Sequence, residues 1–361
     1  MRVGIGALLG ILGGPATYAR ELVSALARAG GHEYVVFTDQ PEAFAGVGVE
    51  TVRVPLRTTY HQVSWDHTRL PTLLRRGRVD LYHGTKNVLP FRLRMPAVVT
   101  VHDLAVYVYP DTFAWPQRWH FRLTVPSSVA RAACVIADSE HARRDLVGRF
   151  HLPPERVRAI PLGVAPAFPT GPTVEAVEAF RRRHGLGPRL IVCVGTVQPR
   201  KHLERVIAAF GRADAVARGW ELVIAGRLRP GYRPPWLRAL PPGVRWLGPL
   251  ARGALEALYA AAEIAVSASE YEGFGLTVCE AMASGCAVVA VATSAIPELV
   301  GDAGVLVERS DAELLAHALV PLVADPARRA TLGARARARA GAFTWEETAR
   351  RTRAVYDEIL A

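Results

Sequence analysis

Several short segments of this 361-residue chain carry residue types that handle anions and hydroxyl groups. The richest is 270–283, E-Y-E-G-F-G-L-T-V-C-E-A-M-A, which follows an apolar run at 264–267. Gly273 and Gly275 let the backbone turn sharply and come close to a ligand. A helix is expected to start near Thr277. That leaves the N–H groups of Phe274, Gly275, Leu276 and Thr277 pointing out of a strand end, which makes an anion site. Glu272 and Glu280 lie eight positions apart. Two carboxylates suit poorly as phosphate ligands and well as acceptors for sugar or ribose hydroxyls beside a phosphate. A helix-capping glutamate and a solvated one fit the same spacing.

A second segment, G-T-V-Q-P-R-K at 195–201, follows the apolar run 190–194. Arg200 supplies a planar fork of donors and Lys201 a point charge, where a diphosphate could sit. Of the 44 Lys and Arg residues only Lys86 and Lys201 are lysines. Gly13 and Gly14 end the first apolar run and precede a helical pattern, which fits either a phosphate contact or an ordinary turn. His102 and Asp103 end the run 99–101. Residues 107–121 hold six aromatics interleaved with Arg118, His120 and Arg122. Such a mixture serves sugar stacking, lipid headgroups or local packing.

These segments need strands and helices to aim them. Short apolar runs alternate with amphipathic stretches, the pattern of a parallel sheet covered on both faces. Strands are expected at 2–8, 34–38, 49–54, 81–83, 97–101 and 134–137, with helices at 16–28, 63–75, 115–132 and 140–150. Four prolines between 161 and 172 suggest a linker. The alternation then restarts, with strands at 190–195, 221–225, 244–247, 264–267, 287–291 and 303–307. Helices are expected at 203–212, 255–262, 277–283, 311–323 and 327–340, and a last one at 345–360 with helical apolar spacing. The chain therefore reads as α/β, two Rossmann-like doubly wound units. The expected domains are 1–167, completed by the helix 345–361, and 168–344. Ligands of open parallel sheets bind at the carboxyl ends of the strands, so the cleft between the domains is the expected pocket.

Composition narrows the class. Half the residues are apolar and 21% are charged, which excludes a disordered or collagen-like chain. Four cysteines without a C-x-x-C pair suggest reduced thiols in a cytoplasm and no structural zinc. The net charge of +11 is spread as scattered arginines. Base composition or a warm habitat accounts for it, as does an anionic substrate or membrane surface; no basic run reads as a nucleic-acid arm. The longest uncharged runs, 3–19 and 281–297, are shorter than a bilayer span and hold Gly and Pro. The absence of Asp-x-Asp, of a P-loop, of H-E-x-x-H and of G-x-S-x-G argues against a metal-diphosphate clamp, a P-loop enzyme, a zinc protease and a common hydrolase. A dinucleotide-binding dehydrogenase would require G-x-G-x-x-G after a strand, which this chain lacks.

Taken together, these elements resemble the retaining glycosyltransferases of family 4, with the two-Rossmann GT-B fold. The segment 195–201 resembles that family's G-T-x-x-P-R-K. Glu272 to Glu280 resembles its E-x7-E, and 296–304 the stretch after its next strand. Gly13-Gly14, Val101-His102-Asp103, 161–164 and 343–346 match further landmarks. The resemblance implies that Arg200 and Lys201 neutralise the diphosphate of a nucleotide sugar, helped by the backbone of Gly13, Gly14 and Gly273 through Thr277. Glu280 would accept from the ribose and Glu272 from the donor sugar. His102 would touch that sugar, with His102 and Asp103 the nearest candidates for a base. Trp246, Leu247, Gly248 and Leu250 would meet the nucleotide base. Thr196 stands where some members have arginine, and Ser294-Ala295 where glycine is common. The implied reaction is transfer of a hexosyl group, mannose favoured, without a metal. The donor would be GDP-mannose or UDP-glucose, with no separate cofactor. The acceptor would be a glycan, lipid-linked or small-molecule hydroxyl, with peripheral membrane contact through the N-terminal domain. A sugar-nucleotide epimerase is the alternative on the same fold.

Overall fold

A computed structural model describes residues 1–10, 13–55 and 65–361. The chain divides into two units: Met1–Gly163 with Thr344–Ala361, and Val164–Phe343. The division thus falls at Gly163, against 167 in the sequence reading, and the return begins at Thr344.

The first unit is built on a seven-stranded parallel sheet. Its strands are β1 (Arg2–Gly6), β2 (Glu33–Thr38), β3 (Glu50–Arg53), β4 (Leu81–Gly84), β5 (Ala97–Val101), β6 (Cys134–Ala137) and β7 (Val157–Ala159), in the order β3-β2-β1-β4-β5-β6-β7. β1, β5 and β6 are rich in β-branched and small residues, as strands covered on both faces are. All five residues of β5 are buried. The order reverses between β1 and β4, so the crevice at their carboxyl ends is where such a sheet takes ligands. The C-terminal helix Trp345–Leu360 packs on the helix Gly14–Ala29. Tyr356 reaches the interior, where its hydroxyl lies 2.6 Å from His83 Nδ1. Thr348 Oγ1 donates to the Pro161 carbonyl at 2.8 Å.

The second unit has a six-stranded parallel sheet, β8 (Arg189–Val194), β9 (Trp220–Ala225), β10 (Val244–Trp246), β11 (Ile264–Ser267), β12 (Ala287–Val291) and β13 (Val305–Val307). Its order is β10-β9-β8-β11-β12-β13, with the reversal between β8 and β11. The segments 195–201 and 268–275 therefore leave neighbouring strands at the switch point.

Most expected elements are present with ends shifted by one to three residues. β1 stops at Gly6 rather than 8. Residues 63 and 64 of the helix expected at 63–75 lie outside the described residues; the described part includes the helix Leu70–Arg76. Among the elements absent from the sequence reading are β7 and the helix Val174–His184. β7 is three residues with an arginine at its centre, and the helix Val174–His184 buries only Phe180, so neither shows a strong apolar period.

Candidate active site

The second unit brings Arg200, Lys201 and Glu272 together. β8 runs into a tight turn, Pro199–Lys201, and the loop after β11 meets it: the Glu270 N–H donates to the Arg200 carbonyl at 3.0 Å. Lys201 Nζ donates to Glu272 Oε1, and Arg200 Nη1 lies 3.6 Å from the same oxygen. Arg200 also donates to the Tyr271 carbonyl and, at 3.3 Å, to Ser269 Oγ. The three charged side chains retain only 11 to 13% of their exposure. Burial alone would raise the Glu272 carboxyl, but Lys201 and Arg200 outweigh it and hold the group at about 2. Two enclosed cations share one anion, so the trio keeps a net positive charge.

The backbone around Glu272 is fixed from the next loop. Ser294 sits in the left-handed region, at φ 48°, and its Oγ accepts the Glu272 N–H at 2.7 Å. Thr293 Oγ1 donates to the Glu270 carbonyl at 2.9 Å. Here a serine performs the turn that glycine commonly makes.

Gly275, at φ 95°, caps the helix Leu276–Ala283 without a side-chain acceptor. The first amides to close onto its carbonyl are those of Val278 and Cys279. Among the described residues no acceptor takes the N–H groups of Phe274, Gly275, Leu276 or Thr277. Glu280 is on this helix and 7% exposed. Burial, with Glu256 adding to it and Arg252 opposing, pushes its carboxyl up to about 8. It is a neutral acid near pH 7, able both to donate to and to accept from a vicinal diol. Glu272 and Glu280 thus have opposite protonation, set by whether cations share their enclosure.

At the ends of β9 and β10, Trp246 Nε1 donates to the Gly226 carbonyl at 3.0 Å. The Leu247 N–H donates to the Ile224 carbonyl at 2.9 Å, and Gly248 turns at φ 69°. Leu250 follows, in the loop before the helix Arg252–Ala261.

The first unit carries its own cluster at the ends of β4, β5 and β6. His102 Nδ1 lies 2.8 Å from Asp138 Oδ2, and Nε2 lies 2.8 Å from the Thr85 carbonyl. The His102 N–H donates to Asn87 Oδ1 at 3.0 Å. Nε2 faces a carbonyl, so it carries a proton. Burial alone would lower the imidazole, but Asp138 and the Thr85 carbonyl raise it above its ordinary value. As placed, the ring has no free nitrogen; acting as a base requires it to leave Asp138 or Thr85. Asp103 Oδ1 accepts the Ala105 N–H at 3.0 Å. Gly13 turns at φ 136° ahead of the helix Gly14–Ala29, whose first turn lacks a side-chain cap. A Cβ on Gly14 would meet nothing within 4 Å, so packing inside the unit does not require glycine there.

Among the described residues, no group of three or more His, Cys, Asp or Glu side chains is arranged to hold a metal ion. All four cysteines are buried and free. No described helix is long and apolar enough to cross a membrane.

Two family models match the chain: "Glycosyltransferase Family 4" over residues 12–168 and "Glycosyl transferases group 1" over 188–325. The MMP alpha-(1->4)-mannosyltransferase of Mycolicibacterium hassiacum is 31% identical over 310 residues, covering 80% of this chain and 72% of that protein. The chain belongs to the family 4 glycosyltransferases. The glycosyltransferase is also 27% identical over 284 residues to the O-antigen chain mannosyltransferase B of Escherichia coli, covering 75% of this chain and 72% of that protein. Its fold matches HepE of Anabaena, solved with UDP and glucose, at a TM-score of 0.78 and 18% identity, over 99% of this chain and 100% of that one. This is the GT-B fold.

Sequence reasoning missed Ser269 in the second unit's cluster and Thr85 and Asp138 in the first unit's; Ser294 was noted only as standing where glycine is common. Thr85 acts through its backbone carbonyl, which no residue type announces. Asp138 had a signal, an acidic residue directly after the apolar run 134–137 at the same sheet edge as His102.

Proposed function

We propose that this glycosyltransferase moves a hexosyl group from a nucleoside-diphosphate sugar to an acceptor hydroxyl with retention of configuration and without a metal ion. The observation that carries the reading is the buried Arg200–Lys201–Glu272 trio beside four backbone N–H groups at a helix start that have no acceptor among the described residues. Fixed cations and aligned dipoles of this kind stabilise a diphosphate as it takes up charge. Arg200, Lys201 and the 274–277 amides hold the diphosphate, Glu280 the ribose diol and Glu272 the hydroxyls of the sugar. Trp246 to Leu250 meet the base. The anomeric carbon–oxygen bond breaks with its electron pair going to the diphosphate. The acceptor oxygen bonds to that carbon on the same face, and its proton passes to the departing phosphate oxygen. His102, which Asp138 holds at the end of β5, would contact the donor sugar.

Mannose is the favoured sugar, since both curated relatives described above are mannosyltransferases by name; glucose comes second. The acceptor is a glycan, lipid-linked or small-molecule hydroxyl. A peripheral membrane contact of the first unit is supported by Trp115, Trp119 and Leu123, spaced four apart on the helix Trp115–Arg131 and 65%, 46% and 67% exposed. Arg118 and Arg122 flank them. Nothing favours the epimerase alternative.

The test is a panel of GDP-mannose, UDP-glucose and related donors with glycan and lipid-linked acceptors, with the product's anomeric configuration read by NMR. Retained configuration and full activity in EDTA are expected. Inverted product, or loss in EDTA restored by a divalent ion, contradicts the reading.

A further inference from the structure

Four cations gather at the carboxyl ends of β8 and β9, and one of them has no partner among the described residues. Arg200 and Lys201 share Glu272. Arg229 Nη1 donates to Gln198 Oε1 at 2.6 Å. Arg227 is partly buried, and its side chain makes no hydrogen bond or ion pair among the described residues. Its place is fixed by the backbone. The Val197 N–H donates to the Arg227 carbonyl at 2.9 Å, and the Arg229 N–H donates to the Val197 carbonyl at 3.0 Å. Gly226, at φ 144°, presses so close to Gly195 that a Cβ there would collide with its carbonyl. The Gly226 N–H donates to the Gly248 carbonyl at 2.8 Å. Arg227 therefore stands between the turn that carries Arg200 and Lys201 and the loop that follows Trp246. The crowd is felt electrically: burial first, then the charges of Arg200 and Arg227, lower Arg229 from its ordinary value. Like charges packed this way cost free energy until an anion arrives.

The charge balance suits a nucleoside diphosphate. Arg200, Lys201 and Glu272 leave one net positive charge. A nucleoside-diphosphate sugar carries about two negative charges, and the released nucleoside diphosphate nearer three at neutral pH. We propose that Arg227 is a leaving-group ligand whose guanidinium takes diphosphate oxygens and gains most as the anomeric bond breaks. This rests on the nucleotide-sugar reading above.

The test is titration calorimetry of the wild-type protein, Arg227→Ala and Arg227→Lys with UDP, GDP, ADP and dTDP, and with the corresponding sugar diphosphates. For the diphosphate that wild type binds, Arg227→Ala weakens affinity by about tenfold, the loss expected of a charge-assisted hydrogen bond. The matching sugar diphosphate loses less, Arg227→Lys recovers part, and the melting temperature of the free protein does not fall. Unchanged affinity in Arg227→Ala overturns this inference and leaves the nucleotide-sugar reading standing. Equal losses for diphosphate and sugar diphosphate overturn the leaving-group role. A wild-type protein that binds none of the four overturns both readings.

Discussion

Lys201 and Glu280 carry charge states that can be tested singly. Lys201 is one of two lysines in a chain that otherwise uses arginine, and it is the closer of two cations on Glu272. Lys201→Ala should cut turnover at least tenfold while leaving a cooperative thermal transition, since Arg200 still offsets Glu272. Near-normal turnover would remove Lys201 from the reaction. Glu280 tests the opposite case. Its folded value of about 8 lies above its unfolded value of roughly 4.3. The folded state holds this proton more tightly, so the stability it contributes is complete below the unfolded value and is lost as pH rises through about 8. Wild type should therefore lose melting temperature between pH 6 and 9. Glu280→Gln should lose less, by about 2 °C or more over the same range. Parallel profiles for the two proteins would contradict the buried-acid assignment.

At the scale of elements, the apolar runs made the sheets legible. Every strand read from the sequence is present because continuous β-branched runs such as 97–101 and 287–291 suit strands covered on both faces. The Arg200–Lys201 turn and the glycine start of the helix Leu276–Ala283 were legible for the same reason: each follows such a run directly. What was not legible depends on contacts across sequence. The pairing of Lys201 with Glu272 spans 71 positions, and the double engagement of His102 depends on Asp138, 36 positions on. The C-terminal helix supplies another long-range contact. A Cβ on Gly163 would collide with the backbone of Thr344 and Trp345, where that helix begins. Gly163→Ala should lower the melting temperature by about 4 °C or more, as overpacking against backbone does. An unchanged transition would show that the two segments slide apart without cost.

The whole molecule carries a net charge of +11 and a sequence pI near 10.0. A cationic protein is drawn to anionic surfaces, but charge alone gives weak, salt-sensitive attraction. The exposed Trp115, Trp119 and Leu123 would add the apolar anchoring that charge lacks. The protein should therefore co-sediment with phosphatidylglycerol vesicles and much less with phosphatidylcholine vesicles. A Trp115→Ser, Trp119→Ser, Leu123→Ser variant should lose most of that binding and keep turnover on a small water-soluble acceptor. Binding that survives in the triple variant would assign the attraction to scattered arginines instead.

The proposed reaction rests on where the pyrophosphate sits. The most direct measurement is a crystal structure of the protein with UDP or GDP. The account predicts diphosphate oxygens within hydrogen-bond reach of Lys201, Arg200 and the backbone N–H groups of 274–277, with the ribose on Glu280. A nucleotide bound elsewhere, with Lys201 and Arg200 still closed on Glu272 alone, would contradict it.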